Sequence, residues 1–168
     1  AWTYEMGAKT QWLDRRLTAN ISVFYIDWSD QAINEVRNIQ WACADTGNTA
    51  QVPNNVIRNV GQSTVIGSEV ELALAATDNL RLAVNYGLAS TELKDYESVI
   101  DQTSGGIVDA AGKEAPRVPK HTVTTSATWT RPFGDRGASW FLRGDYVYNS
   151  KTWLEADNVV YVGALNLV

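Results

Sequence analysis

The stretch Trp2–Trp12, WTYEMGAKTQW, puts Trp2, Tyr4, Met6, Ala8, Thr10 and Trp12 on its even positions, and Glu5, Lys9 and Gln11 on its odd ones. Successive side chains of a β-strand point to opposite faces, so one face of this segment is aromatic and aliphatic and the other is polar. At about 3.3 Å per residue and a tilt of about 40°, such a segment climbs roughly 25 Å, the height of the apolar band of a transmembrane β-barrel. Aromatic rings at both limits suit the two boundaries where hydrocarbon meets water. A soluble β-sandwich alternates as well, so the period has to be read together with the connections between strands.

The same alternation recurs along the chain. Leu17, Ala19, Ile21, Val23 and Tyr25 oppose Thr18, Asn20 and Ser22. Over 59–76, Ile66, Val70, Leu72 and Leu74 oppose Glu69 and Glu71, and over 80–88, Leu80, Leu82, Val84 and Tyr86 oppose Arg81 and Asn85. The threonine-rich run 122–130 carries Val123, Ala127 and Trp129 on one face; in 139–151, Trp140, Leu142, Tyr146 and Tyr148 oppose Arg143 and Asp145; a last run begins at Tyr161. Every charge within these strands is expected opposite the apolar face. Short connections at 13–17, 76–80 and 131–137 alternate with long ones at 28–58 and 91–118 and a shorter one at 150–159. In barrels of this kind short turns face the periplasm and long loops the exterior. In a compact soluble domain, structureless linkers of such length count against the assignment.

The fold expected is therefore all-β: an antiparallel up-and-down transmembrane β-barrel wall of about seven strands, taken from a larger barrel because single-chain barrels close with an even number. Residues 1–168 read as a partial barrel domain. No run approaches the roughly 18 apolar residues of a membrane-spanning helix, so membrane residence would be through strands. A net charge of −5 speaks against a nucleic-acid partner, for which a basic stripe is expected. The single cysteine, Cys43, speaks against a disulfide framework and a four-ligand zinc site within the chain, and leaves open a free thiol or a bridge to a cysteine elsewhere.

Nothing in the sequence points to catalysis. His121 is the only histidine, and no GxSxG, HExxH or P-loop string occurs. No catalytic residue, metal site or cofactor is expected. Glu69 and Glu71 lie two apart on one strand face, and pairing to basic groups in the lumen is the better reading than acid–base chemistry. The long connections are the stronger candidates for a functional surface. The 91–118 stretch has an acidic excess, and Trp28, Trp41, Tyr96 and Trp153 lie in or near the long connections, where aromatic rings can stack on a ligand.

Several strings then resemble one family. They are Tyr4-Glu5-x-Gly7-x-Lys9, Leu13-Asp14-x-Arg16-Leu17-x-x-Asn20, Phe24-Tyr25-x-Asp27-Trp28-x-Asp30, Asn59-x-Gly61-x-Ser63, Gly67-x-Glu69-x-Glu71, Val118-Pro119-Lys120-His121-Thr122 and Asp145-Tyr146-x-Tyr148. Their order and spacing resemble the β-barrel domain of TonB-dependent outer-membrane receptors. Arg15 departs from the pattern, because a glycine is common in that short turn.

The resemblance implies a location in the bacterial outer membrane and a barrel of about 22 strands closed by an N-terminal plug. It implies active import of a scarce nutrient, an iron–siderophore complex, cobalamin or a carbohydrate, with energy from the TonB complex. It also implies membrane lipid or lipopolysaccharide around the wall, and a plug contacting the lumen at Glu69, Glu71, Arg143 and Asp145. The ligand, such as a metal chelate, would be met at Trp28, Trp41, Tyr96 and Trp153. A passive porin or adhesin barrel, or a soluble β-sandwich binding module, are the alternatives.

Overall fold

The computed structural model describes residues 1–42, 49–95, 99–100, 107–134 and 137–168, with their side chains except over 33–60 and 95–108. Its strands are β1 (Trp2–Trp12), β2 (Leu17–Ala42), β3 (Thr49–Ala75), β4 (Leu80–Asp95), β5 (Val99–Ile100), β6 (Ile107–Val108), β7 (His121–Phe133), β8 (Ala138–Asn149), β9 (Thr152–Trp153), β10 (Tyr161–Val162) and β11 (Leu165–Leu167). Among the described residues, seven of these form one sheet in the order β1-β2-β3-β4-β7-β8-β11, and β5-β6 and β9-β10 are two small ribbons. The pairings are antiparallel, so the sheet is the up-and-down wall that the alternation predicts.

β4 runs on past 88 to Asp95, paired with β3, and two further strand boundaries differ from expectation. Much of the 28–58 connection is strand, since β2 and β3 stay paired from Gln31↔Gly61 to Ala42↔Thr49. The alternating signal stops near Tyr25 because beyond an apolar band both faces of a hairpin meet water and no pattern is required of them. Main-chain pairing carries on regardless. A register shift between Trp28 and Ala32 marks the changeover, with Asp30 at φ 55°. The second difference is at the other end: Tyr161–Val162 pairs with Thr152–Trp153 outside the wall, and the seventh wall strand begins only at Leu165.

Register fixes the faces. The cross-strand ladder joins Met6 to Val23, Ile21 to Val70, Leu72 to Val84, Tyr86 to Val123 and Trp129 to Leu142. Directly opposed residues share a face, so these apolar positions lie on one side of the sheet, while Phe24, Val65 and Phe141 fall on the other. Aromatic rings mark its two limits. Toward the short turns, Trp129 and Trp140 meet edge to face at 5.0 Å, with Arg131 5.4 Å above the Trp129 ring. Toward the long connections, Tyr4 neighbours Tyr25 at 6.4 Å, and the Tyr86 hydroxyl is 2.9 Å from His121 Nδ1.

Charges are not confined to the polar face at these limits. Arg131 and Asp27 share the apolar side, opposite Trp140 and Trp2 respectively. At a band edge a long or terminal side chain can turn its charge to water.

The sheet has no core of its own. Met6 is 77% exposed and Leu142 is 65% exposed, whereas Leu93 and Ala110, the buried hydrophobics among the described residues, sit at the long-connection end. At the opposite end the 13–16 turn is unusual. Leu13, Asp14 and Arg15 all have positive φ, at 54°, 52° and 68°, and the Arg16 amide donates to the Leu13 carbonyl at 3.0 Å. A non-glycine residue here carries the Cβ clash of the left-handed region, which explains why glycine suits position 15 better than arginine.

Candidate functional site

The polar face is built from rows of residues that the register sets side by side across the sheet. One row runs Lys9, Asn20, Glu71, Asn85 and Thr124; the next toward the long connections runs Gly7, Ser22, Glu69, Gly87 and Thr122. Glu71 accepts a hydrogen bond from Asn20 Nδ2 at 3.1 Å. No such bond reaches Glu69 among the described residues. Its row neighbours are Ser22 and Gly87, both small, so space opens on both sides of the pair. A hollow of about 420 Å³ is lined by Glu5, Lys9, Asn20, Glu69 and Glu71, and one of about 240 Å³ by Glu69, Glu71, Asn85, Thr122 and Thr124. Carboxylates lining polar hollows of this kind can receive a guanidinium or ammonium group.

Gly67, two residues before Glu69, faces Phe24 across the ladder. A Cβ on Gly67 would run into the Phe24 ring and the Leu88 carbonyl. The ring therefore lies over bare backbone, and the glycine of the GxExE string is needed for that close approach.

Toward the short turns the polar face changes sign. Asp145 shares a row with Ser126, Ala83 and Ala73; Arg143 shares the following row with Thr128, Arg81 and Ala75. Arg143 and Asp145 stand two apart on β8 and engage each other as a fork, with Nη2 to Oδ1 at 2.7 Å and Nε to Oδ2 at 2.9 Å. Arg16 donates to the carbonyls of Ala75 and Ala76, both at 2.9 Å.

The aromatic candidates fall in different settings. Trp28 opposes Ser63, is 46% exposed and lies on the polar face where the β2–β3 register shifts. Trp153 is held within the loops: its Nε1 donates to Glu114 Oε2 at 2.8 Å, Tyr161 meets it edge-on at 5.6 Å, and Lys151 Nζ lies 4.2 Å from its ring centre. The Trp41 side chain, Tyr96 and Cys43 lie outside the described residues.

The loop framework around Trp153 has no sequence signal. Asn158, at φ 53°, accepts from the Glu114 amide at 2.8 Å and donates to the Glu114 carbonyl at 2.9 Å. Lys113 Nζ reaches the Asp157 carbonyl at 2.9 Å, and Leu93 bonds through its backbone to Lys113 and Gly112. These contacts pin the 107–118 and 150–164 segments together over Leu93 and Ala110, with Ala115 and Ala156 packed against them. His121 is on the apolar face, with the Tyr86 hydroxyl as its partner. No group of three or more potential metal ligands occurs among the described residues. The arrangement offers fixed charges, hollows and aromatic rings, which are the means of binding.

A family model described as "TonB dependent receptor-like, beta-barrel" matches residues 1–168. Similar solved structures include the siderophore receptor PiuA from Acinetobacter baumannii, at 23% identity and a TM-score of 0.64 over 98% of this chain and 20% of that one. The ferric yersiniabactin uptake receptor FyuA from Yersinia pestis matches at 15% identity and a TM-score of 0.65, again over 98% and 20%. BauA, the ferric preacinetobactin receptor from Acinetobacter baumannii, matches at 21% identity and a TM-score of 0.60, over 98% and 21%. The chain thus spans about a fifth of the length of these structures.

Proposed function

Because the chain belongs to the TonB-dependent receptor β-barrel family and is a part of an outer-membrane barrel wall, we propose that the full-length protein is an active importer of a scarce nutrient, of the ferric-siderophore kind. Residues 1–168 are then a portion of its barrel, with the plug and the remaining strands supplied elsewhere in the protein. The apolar face meets lipid and lipopolysaccharide. The polar face lines the lumen, the short turns lie in the periplasm and the long connections outside the cell.

The observation that carries this reading is the pair Glu69 and Glu71, set on the polar face between two hollows, with Glu69 unpartnered among the described residues. In a confined lumen a carboxylate needs a positive partner, and a bidentate arginine supplies charge and geometry together. On this reading plug arginines occupy the hollows, and the Arg143–Asp145 pair presents its remaining hydrogen-bonding capacity to the same plug. Trp28, Trp41, Tyr96 and Trp153 stand toward the ligand, which enters from the exterior, and TonB supplies the energy.

The test is uptake of labelled ferric siderophores by cells carrying the full-length protein as their sole receptor, with and without TonB. Uptake that needs TonB is expected; uptake that is equal without it, or a purely passive flux of small solutes, would favour a porin. In the Glu69→Ala/Glu71→Ala protein, the barrel should assemble while large antibiotics leak in and uptake falls. An epitope tag placed in 43–48 or 101–106 should be labelled on intact cells, and one at Asp78 should not.

A further inference from the structure

Arg143 and Arg81 occupy one row of the polar face, separated by Thr128, yet their charges are treated differently. Two residues along β8, Asp145 stands as the built-in counter-ion of Arg143. Two residues along β4, the equivalent position to Asp145 is Ala83, in the same row as Asp145 and Ser126. Arg81 has no hydrogen bond or ion pair among the described residues. It borders a hollow of about 370 Å³ that Arg15, Arg16 and Arg143 also line, over a floor of small side chains such as Ala73, Ala83 and Thr128. No carboxylate lines that hollow.

From Glu71 to Ala75, which opposes Arg81, is four residues along β3. That separation is about 13 Å along the strand and roughly 10 Å along the barrel axis after tilt. The wall therefore carries Glu69 and Glu71, with Lys9 in the Glu71 row, and two rows nearer the short turns it carries Arg81 and Arg143, with Asp145 as the counter-ion of Arg143 only.

We infer that Arg81 is a carboxylate-receiving site for the plug, so that the plug carries an acidic side chain roughly 10 Å on the periplasmic side of the basic groups that meet Glu69 and Glu71. This rests on the reading of the chain as the wall of a plugged barrel. The occupant follows from charge complementarity and from the extent of protein beyond this chain, which spans about a fifth of its structural neighbours. A guanidinium in a partly dehydrated lumen requires an anionic partner, and Arg81 alone in its row lacks one on the wall. Thr128, between the two arginines, is placed to add a hydroxyl to the same carboxylate. The two bands together would give the plug one orientation, because a plug turned end for end would meet like charges.

The experiment uses the full-length protein in cells, with folded barrel quantified by its heat-modifiable gel mobility and lumen sealing by susceptibility to a bulky antibiotic. Arg81→Glu should raise susceptibility about tenfold at equal barrel levels, the scale of one lost charge-assisted hydrogen bond, while Arg81→Lys, which keeps the charge but not the fork, should fall between the parent and Arg81→Glu. Second-site changes that reseal Arg81→Glu should convert an acidic plug residue to lysine or arginine. If Arg81→Glu lowers barrel levels, Arg81→Gln takes its place and should leak several-fold. A folded Arg81→Glu or Arg81→Gln protein as tight as the parent would overturn the site; so would suppressors found only outside the plug. Either result with TonB-dependent uptake intact would leave the transport reading standing, and loss of TonB dependence in the parent is read separately from sealing.

Discussion

The mid-wall and the long-connection end of this chain follow opposite rules. Met6 is 77% exposed at mid-wall, while Leu93, beside the long connections, is 1% exposed. In the wall, cohesion comes from the ladder of main-chain hydrogen bonds, and the apolar side chains find cover only in lipid. In the cap formed by the long connections, side chains pack on one another and polar groups are paired individually, as in a water-soluble domain. A single chain thus contains a part whose solvent is hydrocarbon and a part whose solvent is water, and a substitution should be judged by the part it falls in.

The strongest test of that contrast is a charge on the apolar face. Val23→Arg or Leu72→Arg in the full-length protein should cost about 2–4 kcal/mol at mid-bilayer and deplete assembled barrel, while Ser22→Arg on the polar face is tolerated. Equal depletion by Val23→Arg and Ser22→Arg would erase the distinction between the faces. Within the cap, Leu93→Ala should cost about 2–3 kcal/mol of local packing. The barrel should still assemble, and the damage should appear as faster proteolysis within 107–118 and 150–164. Assembly reduced as far as in Val23→Arg would mean that the cap is not a separate unit.

A smaller effect is expected at the clasp between the two loops. Asn158→Ala removes two hydrogen bonds to Glu114 and strains a backbone at φ 53°; Asn158→Gly removes the bonds alone. The alanine variant should lose about 1–2 kcal/mol of loop protection and the glycine variant less, measured as amide exchange at Glu114. The smallest change, and one of opposite sign, concerns the 13–16 turn. Arg15→Gly should stabilise by up to about 1 kcal/mol, read as a higher denaturant midpoint for unfolding in detergent, since φ 68° is a glycine-like conformation. No gain, or a loss, would show that the Arg15 side chain contributes contacts that offset its backbone strain.

How legible each feature is in the sequence follows the same division. Between two apolar boundaries every second residue is constrained, so Trp2, Tyr4, Met6, Val23, Leu72, Leu142 and Tyr146 can be assigned to one face, and Glu69, Glu71, Arg143 and Asp145 to the other, from order alone. Residues 31–42 and 49–58 escaped that reading because a strand beyond an apolar band has no face that its sequence must protect. Tyr161 and Val162 misled it, since a short run of apolar residues alternates equally well in a loop ribbon as in a wall.

The amino-acid order by itself determined the strands of the apolar band, their inside and outside, and the resemblance that names the family, because these depend on local period and spacing. Only the tertiary structure decided that Arg81 lies in line with Arg143 while Arg143 alone keeps a carboxylate, that Phe24 covers Gly67, and that Glu114, Asn158 and Trp153 clasp two loops. Each of these is a relation between residues far apart in the chain, created by strand register and loop packing. A period of two leaves it open which residue of the neighbouring strand will stand opposite, and that choice is made only when the main chains pair.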